Sequence, residues 1–169
     1  LDNDGDIDVL SASANDNKIA WYENDGNGNF ATQQIMTIDA SYASSVYAAD
    51  LDNDGDIDVL SASQGDHKIA WYENDGNGNF GEQQIITTNA SFASSVYTAD
   101  LDNDGDMDVL SASEGDNKIA WYENLLGFNA QASVNSPPCI GANNGSIWVK
   151  ASGGNVVLIP PYTYTWSLE

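Results

Sequence analysis

The sequence predicts an all-β protein: a partial β-propeller of about three four-stranded blades, plus a small C-terminal β segment. Three observations support this fold class. The 169-residue chain repeats itself with a period of about 50 residues, which is typical of propeller blades. Short runs of β-branched and aromatic residues alternate with polar ones between Gly-, Asn- and Asp-rich turns. Helix signals are nearly absent, so strands must form the core.

The repeat is close to identical in its first two copies. Residues 1–50 and 51–100 align without a gap and agree at about four positions in five, and a third copy starts at Leu101. Three repeats are too few to close a ring, since propellers have about four to eight blades, so we expect a fragment of a longer protein. The predicted parts are 1–124 (repeats 1–50, 51–100 and the incomplete 101–124), a junction at 125–138, and a distinct segment at 139–169.

Each repeat is predicted to form four short antiparallel strands, and neighbouring repeats must cover both faces of its sheet. Turn-forming residues connect the strands, as in Gly65–His67 and Asp75–Asn79. The predicted strands are the run entering the acidic segment (94–99 in the second copy), the run leaving it (58–63), Lys68–Glu73 and Phe80–Thr87.

Composition excludes several partners. The net charge is −22 with only four Lys and Arg residues, so the chain lacks the basic groups needed for phosphate contacts with nucleic acid. An anionic membrane surface is disfavoured for the same reason, and no apolar run is long enough to predict membrane insertion. Cys139 is the one cysteine, so no internal disulfide can form.

An acidic nine-residue run recurs in every copy and is the most informative feature of the chain. Asp50–Asp58 and Asp100–Asp108 each hold five carboxylates, and the first copy holds a shortened version, Asp2–Asp8. Two unit charges about 4 Å apart repel by roughly 1 kcal/mol even in water. No lysine lies inside these runs, so a bound cation is the simplest source of counter-charge.

The spacing Asp-x-Asp-x-Asp-Gly-x-x-Asp offers oxygen ligands at positions one, three, five and nine, with a bend at the glycine. Hard oxygen donors in this number suit Ca²⁺ better than Mg²⁺ or Zn²⁺. Position seven is assigned a backbone carbonyl, by analogy with the EF-hand loop. The predicted carboxylate ligands are Asp2, Asp4, Asp8, Asp50, Asp52, Asp54, Asp58, Asp100, Asp102, Asp104 and Asp108, and the carbonyl ligands are Asp6, Asp56 and Asp106.

The EF-hand itself does not fit these runs. It needs an acidic residue at position twelve, which is Ser61 in the second copy and Ser111 in the third. Strands flank the loop where an EF-hand has helices. A metal-free acidic turn is disfavoured because a turn needs one or two such residues. A structural metal that holds the blade together is favoured over an open catalytic site.

The acidic loop, the following Asp-Val-Leu-Ser-Ala-Ser and the later Trp-Tyr-Glu-Asn-Asp-Gly-Asn-Gly-Asn-Phe together resemble the FG-GAP/VCBS repeat family. Blades of that family are similar to those of the integrin α-subunit propeller. The resemblance covers about the first 124 residues. It implies Ca²⁺ in the loop that joins the first two strands of each blade, and an interaction module that is extracellular or on the bacterial cell surface.

The C-terminal segment resembles a different family. Ile147–Val149 and Tyr162–Trp166 alternate like strands around a Gly-Gly turn, after a Pro137-Pro138 break. The segment is similar to the SprB-type repeat of large surface adhesins in gliding bacteria, which implies an immunoglobulin-like β-sandwich unit. In this chain five residues, 155–159, separate the Gly-Gly from the Pro-Pro-Tyr-Thr-Tyr run.

No catalytic function is predicted, because the acidic pattern recurs in every repeat whereas an active site is normally built once. His67 is read as a turn residue, and Trp21, Trp71 and Trp121 as packing between blades. We expect a segment of a larger secreted or surface protein that contacts a protein or glycan ligand and its neighbouring blades. Two alternatives stay open: a glycan-binding lectin, and an accessory module of a secreted polysaccharide-degrading enzyme.

Overall fold

The structure is a computed structural model that describes residues 1–124, 128–135 and 146–153. The chain divides into two compact units, Leu1–Asn124 and Leu125–Glu169. All regular elements in the described ranges are β-strands, so the all-β prediction is confirmed. Within those ranges no helix is long and apolar enough to cross a membrane.

Ten strands make up the first unit, and they follow the fifty-residue repeat. The strands are β1 (Val9–Ser13), β2 (Lys18–Tyr22), β3 (Gln34–Thr37), β4 (Ala43–Ala49), β5 (Asp58–Ser63), β6 (Lys68–Tyr72), β7 (Gln84–Thr87), β8 (Ala93–Ala99), β9 (Asp108–Ser113) and β10 (Lys118–Tyr122). Each complete sheet begins with the strand that precedes its acidic run, so the structural repeats are named by their sheets: β1–β3 for the first, β4–β7 for the second and β8–β10 for the third. The fourth predicted strand begins later than expected: Phe80 forms only an isolated bridge with Asn74, and β7 starts at Gln84.

The strands form three antiparallel sheets, each a simple meander. The central sheet has the order β4-β5-β6-β7, and the flanking sheets have the orders β1-β2-β3 and β8-β9-β10. In the central sheet Tyr47 pairs with Leu60 and Leu60 with Trp71, which sets the register across three strands. Strand β4 packs against β1 on one side and against β8 on the other. The acidic runs therefore lie at the same place in each sheet, between β4 and β5 and between β8 and β9.

The core of the first unit lies on both faces of the central sheet. Successive strand residues point to opposite faces. Val59 and Tyr72 accordingly join the cluster shared with the first repeat, while Leu60 and Trp71 join the cluster shared with the third. Strands β5 and β6 are buried along their whole length. Trp71 and Tyr72 point to opposite faces, and both are buried because a neighbouring sheet covers each face.

The equivalent side chains of the third repeat show what a neighbour contributes. Trp71 is 9% exposed and Ile69 is fully buried, whereas Trp121 is 50% exposed and Ile119 is 77% exposed. The sequence Lys-Ile-Ala-Trp-Tyr is identical in all three copies. Burial of this strand is therefore decided by the adjacent repeat and not by its own sequence.

The second unit contains a strand that the sequence reading missed. Strands β11 (Phe128–Asn135) and β12 (Ser146–Gly153) pair antiparallel, with Phe128 opposite Gly153. The predicted strand at Ile147–Val149 lies in β12, but β11 lies in the stretch 125–138 that was read as a junction. Its sequence alternates apolar and polar residues through Phe-Asn-Ala-Gln-Ala-Ser-Val-Asn, which is a strand pattern. Cys139, the Pro137-Pro138 break and the predicted strand at Tyr162–Trp166 lie outside the described residues.

We predict that Trp71→Ala destabilises the first unit far more than Trp121→Ala. Truncating a buried Trp costs about 3–5 kcal/mol because it leaves a cavity, whereas a half-exposed ring loses much less contact. Urea denaturation followed by tryptophan fluorescence measures both variants in the same buffer. Equal losses in the two variants would contradict the packing of the third repeat on Trp71.

Candidate metal centre

The acidic loops are shaped by residues with left-handed backbone conformation. In the second repeat Asn53 has φ of 61° and Gly55 has φ of 96°. Glycine and asparagine adopt this region at low cost, which other side chains do not. The first and third loops have the same conformation at Asn3 and Gly5 and at Asn103 and Gly105. The three loops therefore share one backbone geometry, as their nearly identical sequences predict.

Carboxylates at positions one, three and five accept hydrogen bonds from backbone N–H groups of their own loop. Asp52 Oδ1 accepts a hydrogen bond from the Asp54 N–H at 3.2 Å, and Asp54 Oδ1 accepts one from the Asp56 N–H at 2.8 Å. Asp50 Oδ2 accepts a bond from the Gly55 N–H at 3.1 Å. The third loop has the same bonds at Asp102, Asp104 and Asp100, with distances of 3.2, 3.0 and 3.2 Å.

The carboxylate at position nine connects the loop to the rest of the sheet. Asp58 is fully buried; its Oδ2 accepts a bond from the Leu51 N–H at 3.0 Å, and its Oδ1 accepts one from the Asn74 N–H at 2.9 Å. The third repeat repeats this arrangement with Asp108, Leu101 and Asn124, and the first with Asp8, the Leu1 amino group and Asn24. Position nine therefore has a structural role as well as its predicted role as a ligand.

Three carboxylates converge in each of the two complete loops. Oxygen atoms of Asp50, Asp52 and Asp58 lie within 4.8 Å of one another, as do those of Asp100, Asp102 and Asp104. Calcium–oxygen distances are about 2.3–2.6 Å, so two oxygens on one ion lie at most about 5 Å apart. The spacing fits a single Ca²⁺. The described first loop, whose sequence starts at position two, does not bring Asp2, Asp4 and Asp8 into such a group.

One oxygen in each complete loop is buried with no hydrogen-bond partner: Asp50 Oδ1 in the second repeat and Asp100 Oδ1 in the third. A buried charged oxygen without a partner is costly unless a cation or water satisfies it. The lysine ion pairs in the described residues are made elsewhere, for example Lys68 with Asp66 at 3.0 Å and Lys118 with Asp116 at 2.8 Å. The donor set and the orphaned oxygens fit a hard divalent cation.

The raised pKa values of two carboxyl groups in the second loop are consistent with a cation site. The pKa of Asp58 is raised from 3.8 to about 6, chiefly because the carboxyl group is buried. The charges of Asp52 and Asp54 raise it further, whereas the two backbone hydrogen bonds to Asp58 act in the opposite direction. Burial also raises the pKa of Asp52, with the nearby carboxylates of Asp54 and Glu73 adding to it. A cation at the centre of the loop would relieve this repulsion.

Position seven has a side-chain role that its sequence did not show. Asp56 Oδ1 accepts a hydrogen bond from Asn3 Nδ2 at 2.6 Å, and Asp106 Oδ1 accepts one from Asn53 Nδ2, so each loop is joined to the loop of the preceding repeat. Gly76, with φ of 76°, lies against Asp56, and an added Cβ would be 2.6 Å from its carboxylate oxygens. The predicted carbonyl ligand at this position stays a prediction.

A second inter-repeat contact comes from the asparagine that follows Trp-Tyr-Glu. Asn74 Nδ2 donates to the Ile57 carbonyl at 2.8 Å and to the Leu1 carbonyl of the preceding repeat at 2.7 Å. Asn124 makes the equivalent bonds to Met107 and Leu51, at 3.1 and 2.5 Å. The sequence reading missed this role, although the recurrence of the asparagine at the end of the same strand was a usable signal.

His67 has a structural explanation. Its Nδ1 accepts a hydrogen bond from the Phe92 N–H at 3.1 Å. Its ring packs edge-to-face on the Phe92 ring, with 5.4 Å between the ring centroids. In the first repeat Asn17 Oδ1 accepts the corresponding bond from the Tyr42 N–H at 3.0 Å. The histidine therefore replaces an asparagine as the acceptor for the turn of the next repeat.

Comparison with protein families identifies two kinds of repeat. The FG-GAP-like repeat matches residues 1–61 and again residues 50–111, and the SprB repeat matches residues 132–167. Both resemblances drawn from the sequence are confirmed, and the SprB match begins before residue 139, where that segment was placed. Comparison with curated proteins gives no match, and neither does comparison with solved structures.

We predict that Asn74→Ala destabilises the first unit by about 1–3 kcal/mol, because it removes a buried side chain and leaves two part-buried carbonyls without their donor. Asn24→Ala is the matched control, since Asn24 Nδ2 donates to the Ile7 carbonyl at an exposed position. Chemical denaturation at a fixed calcium concentration measures both. If the two variants lose the same stability, the bond from Asn74 to the preceding repeat contributes nothing.

The raised pKa of Asp58 predicts a pH dependence of the metal-free protein. Its folded-state pKa of about 6 lies above its ordinary value of 3.8, so the folded state binds more protons than the unfolded state between these two pH values. The free energy of unfolding should therefore rise as pH falls through this window. Denaturation in EDTA at several pH values checks this. Asp58→Asn, which removes the titrating group, should weaken the slope; an unchanged slope would contradict the assignment.

Proposed function

Because the chain belongs to the FG-GAP-like repeat family, we propose that residues 1–124 are a Ca²⁺-stabilised, non-catalytic β-propeller segment of a larger secreted or cell-surface protein. The segment would mediate adhesion or contact with a protein or glycan ligand. One observation carries this proposal: each complete loop brings three carboxylates together, one of them with a buried and unsatisfied oxygen.

The propeller architecture is supported by the way the sheets repeat. Each repeat contributes one antiparallel meander, and the acidic loop joins its first two strands. Neighbouring sheets pack face to face along β1, β4 and β8, which lie at or near the same edge of each sheet. Such stacking requires further blades on the open face of the third repeat, where Ile119 and Trp121 are exposed.

Calcium is preferred over other ions on the chemistry of the loop. All predicted side-chain ligands are carboxylates, and none is a nitrogen or sulfur ligand of the kind that Zn²⁺ favours. Mg²⁺ usually keeps several waters and takes only one or two carboxylates. A loop that brings three carboxylates together and leaves one oxygen unsatisfied suits the larger and less hydrated ion. In the second loop Asp50, Asp52, Asp54 and Asp58 would hold it, and the bound ion would neutralise their repulsion.

The surface location is supported by the two kinds of repeat in one chain. FG-GAP-like and SprB repeats are typical of extracellular or cell-surface proteins, and repeat families of this type are generally non-enzymatic. The acidic surface, with a net charge of −22, keeps such a segment soluble and away from anionic polymers. We infer that the parent protein uses the repeats for attachment.

We predict that the chain binds two Ca²⁺ ions, one in each complete loop. A ligand that binds only the folded state at 100 times its dissociation constant adds about 2.7 kcal/mol per site. Isothermal titration calorimetry gives the stoichiometry, and thermal melting in calcium and in EDTA gives the stabilisation. Mg²⁺ at the same concentration should stabilise the chain much less.

Single substitutions should remove the sites one at a time. Asp50→Asn is expected to abolish binding in the second loop and Asp100→Asn in the third, each lowering the stoichiometry from two to one. The control Glu114→Gln removes an exposed carboxylate outside the loops and should leave both sites intact. A melting temperature that EDTA does not change would refute the calcium proposal.

A further inference from the structure

A cavity lies between the second and third repeats, at the ends of β4 and β8 that lead into the acidic loops. Its volume is about 510 Å³, within the range of about 300–1,000 Å³ that is typical of ligand sites. Tyr47, Asp50 and Asn53 line it from the second repeat, and Tyr97, Thr98 and Met107 line it from the third. The cavity therefore combines aromatic, acidic and amide groups.

Two tyrosines at equivalent repeat positions form the aromatic part of this cavity. The rings of Tyr47 and Tyr97 lie 4.7 Å apart between centroids, inclined by 57°, and Tyr97 is 54% exposed. A large aromatic side chain left half exposed beside a cavity offers a surface on which a ligand can pack. Aromatic faces attract cations within about 6 Å, by about 0.5–2 kcal/mol depending on solvent exposure.

The charge around the cavity selects the ligand. Each adjoining acidic loop holds five carboxylates, so one Ca²⁺ per loop still leaves three negative charges if all five are ionised. Lys68 and Lys118 are paired with Asp66 and Asp116 and do not line the cavity. The field therefore attracts cations and repels anions, with or without bound metal.

We propose that the Tyr47–Tyr97 cavity binds a lysine or arginine side chain of a protein partner. The ammonium or guanidinium group packs on the tyrosine rings, and the negative charge that the two adjoining loops keep after binding Ca²⁺ supplies its counter-charge. The volume exceeds that of one side chain, so the residues flanking the basic one contact Asn53 and Thr98. This inference names the partner chemistry of the proposed attachment function and rests on it.

Three short capped peptides test the proposal on the full chain saturated with Ca²⁺. They are Gly-Arg-Gly, Gly-Lys-Gly and, as the uncharged control of matched length, Gly-norleucine-Gly. NMR chemical-shift titration at low and high salt gives the affinity and the location. The expected result is that both basic peptides shift the tyrosine and loop resonances around the cavity, at least tenfold more tightly than norleucine, and more weakly at high salt.

Variants locate the site. Tyr97→Leu should lower the affinity for the basic peptides at least fivefold, whereas Tyr97→Phe keeps the aromatic face and should keep most of the affinity. Tyr42→Ala is the matched control, because Tyr42 is 57% exposed just before the opposite end of β4. Calcium-dependent melting of each variant shows that the fold is retained.

Three outcomes would overturn the inference: equal binding of the norleucine and lysine peptides, full affinity in Tyr97→Leu, or binding of a neutral oligosaccharide at this cavity without any basic peptide. In each case normal calcium binding by the same sample would leave the proposed metal-stabilised segment standing. Absence of calcium binding, measured by calorimetry beforehand, would refute that function separately.

Discussion

The structure of the first unit depends on one buried carboxylate in each repeat. Asp58 receives the backbone N–H of Leu51 at the start of its loop and that of Asn74 beyond the next hairpin. It thereby fixes the loop on the sheet and places the Asn74 side chain, which reaches the preceding repeat. One side chain thus couples the loop conformation, the end of a strand and the contact between repeats, and the third repeat uses Asp108 in the same way.

This arrangement creates the electrostatic conflict that gives the loop its chemistry. A carboxylate buried next to other carboxylates is unfavourable when charged, as the pKa of about 6 at Asp58 shows. Protonation relieves the conflict in acid, and a divalent cation would relieve it at neutral pH while also satisfying the orphaned oxygen of Asp50. The proposed cation site therefore arises from the same burial that holds the repeats together.

Much of the fold was predictable because its signals are local and repeated. The fifty-residue period, the alternating strands and the acidic spacing all lie in short stretches of sequence, and all-β structure followed from them. The contacts between repeats were not predictable in the same way. Asn53, at position four of its loop, donates to Asp106, at position seven of the next loop, 53 residues away. No pattern within a short stretch of sequence predicts that these two side chains meet. Strand β11 was missed for another reason: its alternation is carried partly by alanines, which signal a strand weakly.

Identical sequences in different surroundings show where the stability of such a chain resides. The strand Lys-Ile-Ala-Trp-Tyr is fully buried in the second repeat and largely exposed in the third. Its own residues contribute the same propensity each time, so the difference in burial comes from the neighbour alone. The acidic loops follow the same rule, since Asn53 and Asn124 join the second and third loops. An ion held in one loop would therefore act on the interface with the next repeat, and the proposed metal binding would be coupled to repeat stacking.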